Sequence, residues 1–279
     1  MRIGVIQASS QATKNKMLYN AVTKYAPKDS EVINFGCTLE EKENYSYIEI
    51  SILVGMLLAN RTVDFIVTGC SSGQGMMLAC NSMPGVICGY APTPKDAYLF
   101  AQINNGNAIS LPLGEEYTWS GIDNLERTVE ALFSEPFGQG YPKSEADRKI
   151  KDSEQLKEIR KSGQISMQEL LNKLDASLVN KLKNKMDFWI NSNLWRKTMK
   201  CPICGKEMNE GYLVTGIGEV MWIGRDVKLP QTRIRYKNAK RIPENTVLIQ
   251  PSVPGRTQCE TKAFRCPNCE IDIIFEKDK

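Results

Sequence analysis

Apolar residues in the first 140 positions fall into short runs separated by helix-length stretches. Residues 2–7 (RIGVIQ) predict a strand, and 11–25 carry apolar positions at helical spacing that stop before Pro27. A second strand is expected at 31–35, a helix at 45–60 and a near-continuous apolar strand at 63–68. Residues 75–81 predict a helix, and Pro84-Gly85 punctuates the chain before a strand at 86–89. Thr93-Pro94 reads as an N-cap and first helical residue, opening a helix through 103. A fifth strand at 107–111 and a helix at 121–133 complete the series. Strands alternating with helices predict an α/β, Rossmann-like, three-layer αβα domain around five mostly parallel strands. Ligands of such sheets bind beyond the carboxyl ends of the strands.

After residue 142 the pattern changes. Residues 143–162 mix charges of both signs with Ile150, Leu156 and Ile159, and 166–195 place apolar residues at helical spacing. From 199 onward the apolar runs are short and β-rich, at 211–215, 219–223 and 247–250. Three parts follow: an α/β domain at 1–142, a helical connector at 143–198 and a small β-rich module at 199–279. The longest apolar run, 50–59, is too short for a bilayer, which takes about 20 residues. The start shows no secretion signal, so a cytoplasmic chain without membrane contact is expected.

Charge follows the same divisions. The first part has 9 basic and 14 acidic residues, net −5; residues 143–200 have 14 against 8, net +6; the rest has 13 against 10, net +3. The chain holds nine cysteines and no histidine. Histidine triads, Cys-His nucleophile pairs and His metal ligands are therefore excluded. Acid–base work falls to Cys, Asp, Glu, Lys, Tyr or water, and a metal needs thiolates or carboxylates. In the expected compartment thiols are reduced or metal-bound rather than paired.

The strand at 63–68 runs into Thr68-Gly69-Cys70-Ser71-Ser72-Gly73-Gln74-Gly75 and then a helix. A glycine-rich strand-to-helix turn aims backbone N–H groups and the positive helix end at an anion or developing oxyanion. Cys70 sits at its mouth, where that field favours thiolate. A thiol that gives and takes a proton beside such a turn suits proton abstraction next to a carbonyl. Cys37, Cys80 and Cys88 have no such setting and read as core or loop residues.

Residues 64–85 (DFIVTGCSSGQGMMLACNSMPG) resemble the signature of type B ribose-5-phosphate isomerases and galactose-6-phosphate isomerases. That signature is a strand, Cys-Gly-Thr-Gly-x-Gly, then a helix with Asn and a following Pro/Ala-Gly. Residues 96–107 (DAYLFAQINNGN) and 137–142 (FGQGYP) resemble later segments of the same family, so the likeness covers about 1–150. The resemblance implies a sugar-phosphate aldose–ketose isomerase working through an enediolate, without a catalytic cofactor. It places Cys70 on the base and Ser72 on a threonine that holds base and substrate. Ser71, Gly73, Gln74 and Gly75 fall on the oxyanion loop, and Asn104 on an asparagine beside a ring-opening histidine. Ile103 stands at that histidine's position, and Ser9 and Ser10 replace a first-strand Asp-His pair. Lys143, Arg148 and Lys149 are the candidates for a phosphate clamp. The resemblance also implies a homodimer or homotetramer with active sites at the interface. A second reading is an inactive sugar-phosphate-binding regulator whose C-terminal module contacts nucleic acid or protein.

Cys201-Pro-Ile-Cys204 and Cys266-Pro-Asn-Cys269 form two Cys-x-x-Cys knuckles about sixty residues apart. Each spacing lets two thiolates grip one ion, so together they predict a closed, structural four-cysteine Zn²⁺ site in a zinc ribbon. Cys259 is a bystander in this reading. A basic run (Arg225, Lys228, Arg233, Arg235, Lys237, Lys240, Arg241) lies near Trp222 and Tyr236, but net +3 does not point to nucleic acid as a partner.

Overall fold

In the computed structural model, which describes residues 1–117, 119–185, 188, 192, 206–215, 220–224, 246–250, 259–266, 268 and 272–274, the first apolar runs form five strands. These are β1 (Arg2–Gln7), β2 (Glu31–Asn34), β3 (Phe65–Cys70), β4 (Cys88–Tyr90) and β5 (Ala108–Pro112). The intervening helices are α1 (Asn15–Tyr25), α2 (Tyr47–Ala59), α3 (Gln74–Asn81), α4 (Pro94–Leu99) and α5 (Gly121–Phe133). The sheet order is β2-β1-β3-β5-β4, and every pairing is parallel.

Alternate strand residues feed opposite layers. Ile3, Val5, Phe65, Val67, Ile109 and Leu111 join Leu18, Val22, Ala97, Leu125 and Val129 in one core under α1, α4 and α5. The other face is covered by α2, which packs on β1, β3 and α3. Residues Glu49 to Leu57 of α2 are all buried, as expected of a helix apolar on every side. The capping box Ser46/Glu49 starts it: Ser46 N donates to Glu49 Oε2 at 2.8 Å, and Ile48 N to Ser46 Oγ at 3.2 Å.

Two elements depart from simple periodicity. The stretch expected as one helix at 11–25 begins as a 3-10 turn, Ser9–Lys14, kinked at Gln11 (φ −122°, ψ 27°) before α1. The stretch at 94–103 is helical only to Leu99; a π-turn, Phe100–Asn104, follows and ends at Asn105 with φ 46°.

Beyond the sheet come α6 (Ala146–Gly163), α7 (Met167–Lys173) and α8 (Ala176–Lys183). The stretch read as one helix at 166–195 breaks before Asp175, whose carboxylate accepts from Ser177 N and caps α8. Helix α7 lies against α2 at Gly55, where a Cβ would stand 2.9 Å from Met167 Sδ. Two ion pairs bind the region after α7 to the first domain: Lys181 Nζ–Glu49 Oε1 and Lys185 Nζ–Glu41 Oε1, each 2.6 Å. All of α6 to α8 belongs to one compact unit, Met1–Leu194.

The second unit, Trp195–Lys279, is built on an antiparallel sheet. Its strands are β6 (Asn209–Thr215), β7 (Val220–Gly224), β8 (Thr246–Gln250), β9 (Cys259–Arg265) and β10 (Asp272–Ile274), in the order β10-β9-β6-β7-β8. Cys259 opens β9, paired with Thr215 of β6. No helix among the described residues is long and apolar enough to cross a membrane.

Candidate active site

Strands β1 and β3 are neighbours, while the chain leaves them toward opposite edges of the sheet. The connections that leave their carboxyl ends therefore diverge and open a crevice at the topological switch point. There a cavity of about 690 Å³ is lined by Ala8, Ser9 and Ser10 after β1, and by Cys70, Ser71, Ser72 and Gly75 after β3. Asn44, Tyr45, Ser46 and Tyr47, leading into α2, form another wall, with Tyr117 and Lys181 completing the lining.

Cys70 is the last residue of β3 and is 7% exposed. Its carbonyl accepts from Leu113 N at 3.0 Å, and that of Ser71 from Gly114 N at 2.9 Å, so β5's continuation holds the loop. Gly73 makes the turn into α3 with φ 75°. A Cβ there would meet the Tyr90 ring at 2.8 Å and the backbone of Leu111 and Pro112 at 2.9 Å, so the turn needs both the conformation and the absence of a side chain. The Gly73 carbonyl accepts from Ser110 Oγ at 2.7 Å and Met77 N at 3.0 Å. The amides opening α3 lack intrahelical acceptors and form the positive end of the helix beside Cys70.

Gln11, on the kink before α1, donates from Nε2 to Ser71 Oγ at 3.0 Å, and Ser71 Oγ lies 3.5 Å from Ser10 Oγ. Ser9 ties two walls together: its N–H donates to the Tyr45 carbonyl at 2.9 Å and its Oγ accepts from Tyr45 N at 2.8 Å. Tyr45 is 2% exposed, and burial first, then Glu43 and Glu41, pushes its phenol upward, keeping it neutral. Burial opposes ionisation of Glu49, yet hydrogen bonds from Lys181 and Ser46 win and hold its carboxyl below the ordinary value.

The sequence reading placed Cys70, Ser72, Ser9, Ser10, Ser71 and Gly75 at the site, and the structure brings these six to one cavity. Gly73 shapes the turn behind it, and Gln74 opens α3 as an exposed residue. Asn104 lines a separate recess with Cys88, Tyr90 and Asp96. Lys143 is exposed on a short turn, and Arg148 is exposed on α6, paired with Glu145 and with Asp152 at 3.0 Å. Asn44, Tyr45, Tyr47, Tyr117, Gln11 and Lys181 were not anticipated. The Ser46-x-x-Glu49 capping box marks the helix start that borders this crevice, but it does not by itself point to a site. Cys37, Cys80 and Cys88 are buried; desolvation raises the Cys37 thiol to about 11 and Cys88 well above its ordinary value.

Of the proposed zinc ligands, Cys201, Cys204 and Cys269 lie outside the described residues, as does the whole basic run at 225–241. Cys266 is buried directly after β9, and Lys206 Nζ donates to Asn268 Oδ1 at 3.0 Å, joining residues next to the two knuckles. Among the described residues no group of three or more Cys, His, Asp or Glu is placed to hold a metal.

The family model described as Ribose/Galactose Isomerase matches residues 4–150. A domain of unknown function (DUF6487) matches residues 201–278. The crystal structure of a 4-deoxy-L-threo-5-hexosulose-uronate ketol-isomerase, complexed with a tartrate, is 35% identical with a TM-score of 0.63, over 71% of this chain and 98% of that one. The ribose-5-phosphate isomerase from Vibrio parahaemolyticus is 35% identical with a TM-score of 0.62, over 68% of this chain and 92% of that one. No curated protein matches.

Proposed function

The chain belongs to the ribose/galactose isomerase family, and from that premise we propose that it is an aldose–ketose isomerase with Cys70 as its acid–base. The observation that carries this reading is the cavity itself: a buried thiol at the end of β3, beside the start of α3, facing a wall of hydroxyl groups. Serines 9, 10, 46, 71 and 72 and tyrosines 45, 47 and 117 offer donors and acceptors suited to a polyhydroxylated chain.

In the proposed reaction the Cys70 thiolate takes the proton from C2 of the open-chain aldose. The C2–H electron pair forms the C1–C2 double bond, and the carbonyl oxygen becomes an enediolate oxygen. Amides at the start of α3 stabilise that charge. The thiol then returns a proton to C1 while the O2 hydroxyl proton passes to O1, giving the ketose. With no histidine in the chain and Ile103 at the ring-opening position, the substrate is presented open, is opened by another group, or is a sugar other than ribose 5-phosphate. The two relatives are named for substrates with an anionic end group, a phosphate in one and a uronate carboxylate in the other.

The test is turnover of aldoses to ketoses followed by NMR. Cys70→Ala is expected to lower kcat by ~10²–10⁴-fold at unchanged melting temperature. Sugar binding without turnover by the natural chain would instead favour the regulator reading.

For the C-terminal module we propose that Cys201, Cys204, Cys266 and Cys269 hold one structural Zn²⁺. The donor chemistry suits it: four thiolates in two Cys-x-x-Cys pairs close a tetrahedral site and leave no open position for substrate.

A further inference from the structure

One cationic side chain among the described residues lines the Cys70 cavity, and it comes from beyond the span matched by the family model. Lys181 stands on α8, delivered to the crevice by the docking of α7 and α8 on α2. Its ammonium donates to Glu49 Oε1 at 2.6 Å, lies 5.7 Å from the Tyr45 ring centre, and its side chain is 35% exposed. The Glu49 side chain is 10% exposed and also accepts from Ser46 N at 2.8 Å, so the carboxylate is a fixed, buried anchor. One of three ammonium donors is thereby taken, and the half-exposed head is left at the cavity wall.

Within one chain, the cations expected to clamp a phosphate lie away from this cavity. Lys143 sits on an exposed turn and Arg148 is committed to Glu145 and Asp152. A phosphate ester carries close to two charges and three acceptor oxygens, and is matched by forked guanidinium groups or several cations. An ammonium that shares its charge with Glu49 falls short of that. A carboxylate needs one ammonium contact and one or two hydroxyl donors, which the serine and tyrosine wall offers.

We propose that Lys181 is the residue that recognises the anionic end of the substrate, and that this end is a carboxylate, making the substrate a sugar acid rather than a sugar phosphate. The inference rests on the isomerase reading and gives its site a substrate class.

The experiment uses the full chain and two readouts. Titration calorimetry of D-glucuronate, D-galacturonate and D-ribose 5-phosphate into Cys70→Ala reads binding without turnover, alone and combined with Lys181→Met or Lys181→Arg. Steady-state kinetics of the same Lys181 variants with Cys70 intact read KM against kcat. At least one hexuronate is expected to bind more tightly than ribose 5-phosphate. Lys181→Met is expected to weaken it ~10–100-fold, through KM with kcat little changed, and Lys181→Arg to recover most of the loss. Tighter binding of ribose 5-phosphate, absence of hexuronate binding, or hexuronate affinity indifferent to Lys181→Met would overturn the proposal. Lys181-dependent hexuronate binding with no turnover would contradict the isomerase reading and leave the anchor standing, so the two failures are distinct.

Discussion

Cys70 and Gly73 carry the site through different physics, and each has its own test. Cys70 supplies a thiol that is buried yet opens on the cavity, while Gly73 supplies a backbone shape that presents the α3 amides. Gly73→Ala places a Cβ against the Tyr90 ring and the Leu111–Pro112 backbone at φ 75°. It is expected to destabilise the chain by about 1–3 kcal/mol in urea unfolding and to lower turnover in whatever folds. Both residues were legible in the sequence through the family signature at 64–85, since a cysteine before spaced glycines at a strand-to-helix junction is a weak signal by itself. The rest of the cavity was not. Gln11 reaches Ser71 only because the 3-10 turn kinks at that residue, and Tyr117 reaches the site by a fold-back that leaves no periodic trace. Lys143 and Arg148 were expected at the site, but Arg148 is held on its own helix by local carboxylates at i−3 and i+4.

Element boundaries came close where the apolar pattern is regular, as in β1 and α5. They failed where tertiary contact decides, as in the π-turn after α4 and the break before α8. Helices α7 and α8 show why this matters: a stretch that reads as a mere connector docks on α2 and furnishes a cavity wall. The docking depends on Gly55, whose missing side chain admits Met167. Gly55→Val is expected to cost about 1–3 kcal/mol in thermal unfolding, by pushing α7 off α2. The Glu49 carboxyl is held below its ordinary value in the folded chain, so its contribution is full above pH ~4.5 and is lost as pH falls through the lower, folded value. Acid-unfolding curves should therefore lose more stability between about pH 5 and 3 in the natural chain than in Glu49→Gln. Equal slopes would show that the Lys181–Glu49 pair does not hold α8.

At the scale of the whole molecule, a fully parallel sheet of order β2-β1-β3-β5-β4 and a separate antiparallel sheet share one chain. Alternating strand and helix patterns made the first readable. The second was readable only in part, since β9 (CETKAFR) lacks the apolar run that marked β6 and β8. Metal analysis of the full chain is expected to find one zinc, lost in the Cys201→Ser, Cys269→Ser double variant, with kcat retained because the module's site is closed. The family relation makes sugar isomerisation the central claim, and proton transfer at C2 is its chemical core. Incubating the natural chain with pentose and hexose phosphates and with hexuronates in heavy water, and reading the C2 hydrogen by NMR, tests it most directly. Deuterium entering C2 of at least one sugar with the natural chain, and of none with Cys70→Ala, is the predicted result. No deuterium with any sugar, or undiminished incorporation by Cys70→Ala, would contradict it.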